Sequence, residues 1–284
     1  MRIFLFLAMG LSLAQDKPAY LLYSAKGKKL SYKAALEQIQ KADVIFFGEL
    51  HNNPIAHWLT YEIAKDLHQR APGKLLIGME MLETDGQEAV SAYLKGEVAS
   101  WEQLKDRIRL WPNFETDYAP LIEWAKNQKV PVYATNAPAL MVRQLAKEGL
   151  QAAENWDSEK RKWIAPLPFP RLDTLPSYRR MEEMAHGHGI SAERLRLAQM
   201  LRDATMAHFI AQAWKPGKIF LHVNGRYHSD YKEGIAAYLR LYRPEVRIVV
   251  ITTEETPNPT TYRHPDPAPA DIIVVVPETM TKTH

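Results

Sequence analysis

The stretch Asp43-Val44-Ile45-Phe46-Phe47-Gly48-Glu49-Leu50-His51 decides the fold. An apolar run this short, ended by a glycine, predicts a strand buried on both faces. The next segment has a different period. From Pro54 to Gln69 the apolar residues Ile55, Trp58, Leu59, Ile63 and Leu67 form a helical face, with Pro54 suited to the first turn. Ala71-Pro72-Gly73-Lys74 breaks that helix, and Leu75 to Met81 reads as a second strand.

The same alternation runs down the chain. Helices are predicted over Thr84 to Leu94, Ser100 to Leu110, Asp117 to Gln128 and Ala139 to Glu148, the last ended by Gly149. Val130 to Asn136 is the third strand and Lys218 to Val223 the fourth. A long helix from Ser191 to Trp214 precedes the fourth strand, and Asp230 to Leu241 is a helix after it. Val246 to Thr252 is a fifth strand and Asp271 to Val276 a sixth. Continuous apolar strands separated by helices predict an α/β fold: a mostly parallel sheet with helices on both faces.

Asn155 to Gly189 departs from this rhythm, with Trp163, Pro166, Pro168, Phe169, Pro170, Pro176 and Tyr178-Arg179-Arg180. This Pro/aromatic-rich insertion (about 155–190) is expected to act as a lid over the sheet edge. The expected organisation is a targeting segment at 1–14, an N-terminal extension at 15–42, the α/β domain at 43–255 and a Pro-rich tail at 256–284.

Composition narrows the function classes. The 284 residues are 46% hydrophobic and 24% charged, which excludes a disordered or fibrous chain. Net charge is only +3, with no basic stripe, so nucleic acid is not an expected partner. Cysteine is absent, which excludes disulfides, thiolate metal sites and an acylated lipoprotein anchor. Met1-Arg2 and the apolar run Ile3 to Ala14, with Ser12 and Ala14 as small residues near its end, predict a cleaved signal peptide. The run is too short to cross a bilayer, which needs about 20 residues. The expected product is soluble and exported to the periplasm.

Polar chemistry collects at the carboxyl ends of the strands, where open α/β sheets bind ligands. The first strand runs into Gly48-Glu49-Leu50-His51 and the fourth into Gly225-Arg226-Tyr227-His228. The second ends at Glu80 and the third at Asn136. In each Gly-x-x-His the glycine is expected to allow a tight turn off the strand. His51, His228 and Glu80 suffice as donors for a divalent metal. Gln199 and Asp203 share a helical face that is expected to look inward to this rim. His57 and His68 are read as surface residues, His57 near enough to line the same mouth. His222, mid-strand, is read as a core histidine.

These motifs resemble those of the ChaN-type haem-binding uptake proteins of the Tiki and erythromycin-esterase-like superfamily. The resemblance rests on Gly48-Glu49-Leu50-His51 with Asn52-Asn53-Pro54, on Met79-Glu80-Met81, and on Asn136. It continues through Gln199, Asp203, Met206-Ala207 and Gly225-Arg226-Tyr227-His228 with Gly234-Ile235. It covers roughly Asp43 to Leu241. It implies haem as ligand, a role in haem and iron acquisition, and a homodimer that sandwiches two haems. In that arrangement each iron takes a tyrosine from one subunit, and a His and a Lys of the other hold propionates. Membrane haem-transport components would be its partners. Here the tyrosine is Tyr178 or Tyr227. Arg179 and Arg180 would suit propionates, with His186 and His188 nearby. Tyr227 stands where relatives tend to have a small residue, and the lipoprotein cysteine of part of the family is missing. The superfamily also implies an alternative. A metal-dependent peptidase or esterase would use His51, His228 and Glu80, with Glu49 as general base.

Overall fold

The computed structural model describes residues 16–185 and 191–284, with side chains described through 180 and from 191. The expected signal peptide, His186 and His188 lie outside the described residues. The strands are β1 (Leu21–Ser24), β2 (Lys29–Leu30), β3 (Val44–Glu49), β4 (Leu75–Glu83), β5 (Val132–Asn136), β6 (Ile219–Gly225), β7 (Ile248–Thr256) and β8 (Ile272–Pro277). Among the described residues they form one sheet in the order β2-β1-β8-β7-β3-β6-β4-β5. From β8 to β5 all neighbours are parallel; β1 joins β8 and β2 antiparallel. The chain is therefore an α/β protein with a mostly parallel sheet.

Side chains alternate across a strand, so each strand feeds two cores. Ile45, Phe47, Ile77, Met79, Leu221 and Val223 pack with the helices Tyr32–Ile39, Pro54–Arg70, Gln87–Lys95 and Ala119–Gln128. Val44, Phe46, Leu76, Phe220, Ile273 and Val275 pack with Ala139–Glu148, Ala192–Ala213 and Gly234–Tyr242. Burial on both faces is what makes β3 and β8 read as unbroken apolar runs.

One expected element is shorter than its sequence pattern suggests. The helix predicted over Ser100 to Leu110 spans only Trp101–Lys105. The Leu104 carbonyl takes the amides of both Arg107 and Ile108, which ends the α-helical ladder. In the extension ahead of residue 43, β1, β2 and a helix complete one sheet edge. The Pro-rich tail carries β8, the sixth strand expected at Asp271 to Val276, as an inner strand. The middle insertion packs inward: Trp156, Ile164, Phe169 and Tyr178 belong to the second core.

Candidate functional site at the carboxyl rim

The parallel pairing of β3 with β6 sets Glu49 opposite Gly225, so the two Gly-x-x-His turns leave the sheet side by side. They interlock through their glycines. A Cβ on Gly225 would lie 2.6 Å from His51 Nε2, and one on Gly48 would lie 3.0 Å from the Arg226 Cα. Neither glycine has a positive φ. The expected reason for glycine, a tight turn, is therefore replaced by close approach: each makes room for the other motif.

Two histidine–carboxylate clusters meet above Gly225. In the first, His51 Nδ1 stands 2.9 Å from Glu49 Oε1, and Tyr118 donates its hydroxyl to the same oxygen at 2.7 Å. The His51 ring lies edge-on to Trp111, centroids 4.8 Å apart, and Asn113 donates to the His51 carbonyl at 3.1 Å. Burial raises the Glu49 pKa, but the hydrogen bond from His51 and the closeness of His57 outweigh it and hold the carboxyl below its ordinary range. Burial lowers His51, but its bond to Glu49 wins and the imidazole stays above its ordinary value.

In the second, His228 is gripped at both nitrogens. Nδ1 bonds Asp203 Oδ1, and Nε2 stands 3.2 Å from Glu80 Oε1. Gln199 Nε2 lies 3.0 Å from Nδ1. Burial works against the imidazolium, yet the charges of Glu80 and Asp203 push His228 up to about 10. Burial likewise works against the Glu80 carboxylate, and His228, His51 and the Gly225 amide hold it well below its usual range. That amide donates to Glu80 Oε2 at 2.7 Å. Asn136 donates to the Glu80 carbonyl at 3.0 Å and accepts from Arg202 at 3.3 Å, which steadies the end of β4.

The expected metal donors are engaged with neighbouring carboxylates. A ligating imidazole needs a free, unprotonated nitrogen. His228 has both nitrogens directed at carboxylates. Among the described residues no group of three or more His, Asp or Glu could hold a metal ion. His228 with Glu80 and Asp203, and His51 with Glu49, form two ion clusters.

Other residues fall as follows. His57 is not at the surface: its side chain is 6% exposed and sits between Glu49 and Asp117, 3.4 and 3.5 Å away. His222 is fully buried, bonded to Thr135 and Asn224, and burial lowers it to about 4, as befits a core histidine. Tyr178 is 1% exposed and donates to Asp203 Oδ2 at 2.6 Å; burial and the Asp203 charge push its phenol far up. Tyr227 is its opposite, 74% exposed on the turn between Gly225 and His228. Arg179 is exposed; Arg180 lies 5.3 Å from the ring centre of Tyr231. Tyr178, Arg180, Gln199, Tyr227, Tyr231, His51 and His228 line a cavity of about 550 Å³. Trp111, Asn113, Tyr118 and Tyr231 escaped the sequence reading, since none sits in a repeated motif. Only the fold brings them to the rim.

A family model described as haem-binding uptake, Tiki superfamily, ChaN, matches residues 35–239. The chain belongs to that family. Its fold agrees. A structure of ChaN from Campylobacter jejuni with cofacially bound haem aligns with TM-score 0.70 at 16% identity, covering 90% of this chain and 96% of that one. An erythromycin esterase in its open conformation aligns with TM-score 0.48 at 12% identity, over 90% of this chain and 83% of that one. The Arabidopsis thaliana protein RETICULATA-RELATED 5, chloroplastic, is 23% identical over 215 residues, 70% of this chain but 29% of that protein. This ChaN-family chain thus spans less than a third of that relative. Family membership places it among proteins of haem uptake. Among its described residues no helix is long and apolar enough to cross a membrane.

Proposed function

We propose that the chain is an exported carrier that holds ferric haem at the rim cavity, with Tyr227 as the iron ligand. The observation that supports this reading is the placement of Tyr227. It is exposed at the mouth of a cavity whose size lies in the usual range for a small-ligand site. Of the two tyrosines that the family resemblance left open, Tyr178 is the poorer ligand. Its hydroxyl is spent on Asp203, and burial keeps its proton in place. Haem, when bound, supplies a ferric iron for which a phenolate is a suitable partner.

The neighbouring residues fit an amphipathic, dianionic porphyrin. Tyr231, partly exposed, offers an aromatic face. Arg180 beside it offers a cation for a propionate. Arg226 is committed elsewhere, to Asp230 at 2.8 Å and Glu254 at 2.9 Å. An exposed ligand leaves the far face of the haem uncovered, and a second haem-loaded copy would cover it. Membrane haem-transport components would then be the donor and the acceptor.

The test is a hemin titration of wild type, Tyr227→Phe and Tyr178→Phe, followed by the Soret and charge-transfer bands. Tyr227→Phe is expected to weaken binding more than about tenfold, at least roughly 1.4 kcal/mol, and to lose the phenolate spectrum. Tyr178→Phe should bind with the wild-type spectrum. An unchanged spectrum in Tyr227→Phe would remove the assignment.

A further inference from the structure

The amino ends of the strands carry a second cleft, of about 300 Å³, on the sheet edge opposite the rim. Arg70, Lys74, Lys218 and Arg247 line it, and Asp43 is the one carboxylate among its lining residues. Asp43 is already neutralised, since Arg247 bonds it through Nε and Nη2 at 2.9 Å each. Lys218 donates to the Gly73 carbonyl at 2.7 Å and Arg70 to Gln40 at 3.0 Å. Lys74 is exposed and has no side-chain hydrogen bond or ion pair among the described residues.

A cation stands within three residues ahead of each of the five adjacent strands β7, β3, β6, β4 and β5, whereas Asp271 stands ahead of β8. Lys41 precedes β3, Lys74 precedes β4, Lys129 precedes β5, Lys218 precedes β6 and Arg247 precedes β7. The opposite edge carries Glu49, Glu80, Asp203, Asp230 and Glu254, partly offset by Arg202, Arg226 and His228.

A simpler account is that cations at helix C-termini offset the helix dipole. That accounts for Arg70, in the last turn of its helix. The dipole's effect fades within one turn. Lys74, Lys218 and Arg247 lie beyond the helix ends at Arg70, Ala213 and Tyr242. They line a cleft rather than cap a helix.

We propose that this cleft holds the phosphate of an anionic phospholipid headgroup, so that the amino edge of the sheet rests on an anionic bilayer. The row of cations from Lys41 to Lys129 extends past the cleft itself. A planar anionic surface uses the whole row, whereas a soluble phosphate ester uses only the cleft. Docked this way, the rim cavity at the other end of the strands faces away from the bilayer.

The experiment is sedimentation of the full chain with phosphatidylcholine vesicles, with and without added phosphatidylglycerol. The variant is Lys41→Glu with Lys74→Glu; both side chains are exposed and unbonded, and neither belongs to the rim. Capture is expected only with phosphatidylglycerol, and it should fall as salt is raised. The double variant should bind at least about tenfold more weakly, while its hemin titration stays that of wild type. Capture by phosphatidylcholine alone, or a double variant captured like wild type, overturns the proposal. So does saturable binding of inorganic phosphate by a protein that anionic vesicles do not capture, which would make the ligand a soluble phosphate.

Discussion

Gly225 lies so close beneath His51 that a methyl group would displace the ring, 2.6 Å from its Nε2. Gly225→Ala is therefore expected to push His51 off Glu49 and to cost about 1–3 kcal/mol, the usual range for overpacking. Gly234→Ala should cost more. Its φ is +51°, and its Cβ would meet the His228 carbonyl oxygen at 2.3 Å, a backbone atom that cannot swing aside. Urea unfolding of both variants decides this, and equal losses would contradict it. His228 carries a pH signature. Its ordinary value is 6.5 and the fold holds it near 10. A raised histidine contributes stability that is complete below 6.5 and is lost as pH climbs toward about 10. Glu80, lowered from its ordinary 4.5, contributes stability that is complete above 4.5 and is lost as pH falls below that value. The melting temperature of wild type should thus decline on the alkaline side, and His228→Gln should flatten that limb. An unflattened limb would mean that His228 does not hold its extra proton. The histidines, Glu80 and the glycines were legible as motifs. Their interlock was not, because a one-dimensional pattern does not say which strands are neighbours. His57 was misjudged for a related reason: on its helix it borders exposed residues, and only the Asn113-to-Tyr118 segment covers it.

The segment between Asn155 and Ala185 shows where element-scale reading runs out. Prolines and aromatics there suggested a lid, since no period of 2 or 3.6 announced an element. Trp156 and Phe169, 4% and 6% exposed, join the core, while Ser177, Tyr178 and Arg180 line the rim cavity. Trp156→Ala or Phe169→Ala is expected to cost about 3–5 kcal/mol, as for any buried aromatic. A change below about 1 kcal/mol in urea unfolding would show a segment that merely lies over the surface. The long parallel strands were legible because burial on both faces writes itself as an uninterrupted apolar run. The helix Ala139–Glu148 was legible to the residue, its end marked by Gly149 with φ +73°. β1 and β2 were not, for they are four and two residues long, too short for a period to declare itself. Their place is dictated by β8, whose free edge they cover.

At the scale of the whole molecule, the sheet separates two kinds of surface along the strand axis. The carboxyl end gathers carboxylates, imidazoles and exposed tyrosines around one cavity; the amino end gathers lysines and arginines around a second cleft. The proposed haem site is open rather than enclosed, since its ligand Tyr227 is 74% exposed. A porphyrin held at such a mouth leaves one apolar face in water, a cost that a second haem-bearing copy would remove. Hemin is therefore expected to convert the chain to a dimer at about one hemin per subunit. Sedimentation velocity with increasing hemin measures this directly. Tyr227→Phe should stay in its hemin-free state of association under the same titration, while Lys41→Glu with Lys74→Glu should dimerise like wild type, because the amino edge lies at the far end of the strands. Dimerisation of Tyr227→Phe at wild-type hemin levels would show that the contact forms without the iron ligand. The pairing would then have to be sought on a face other than the rim.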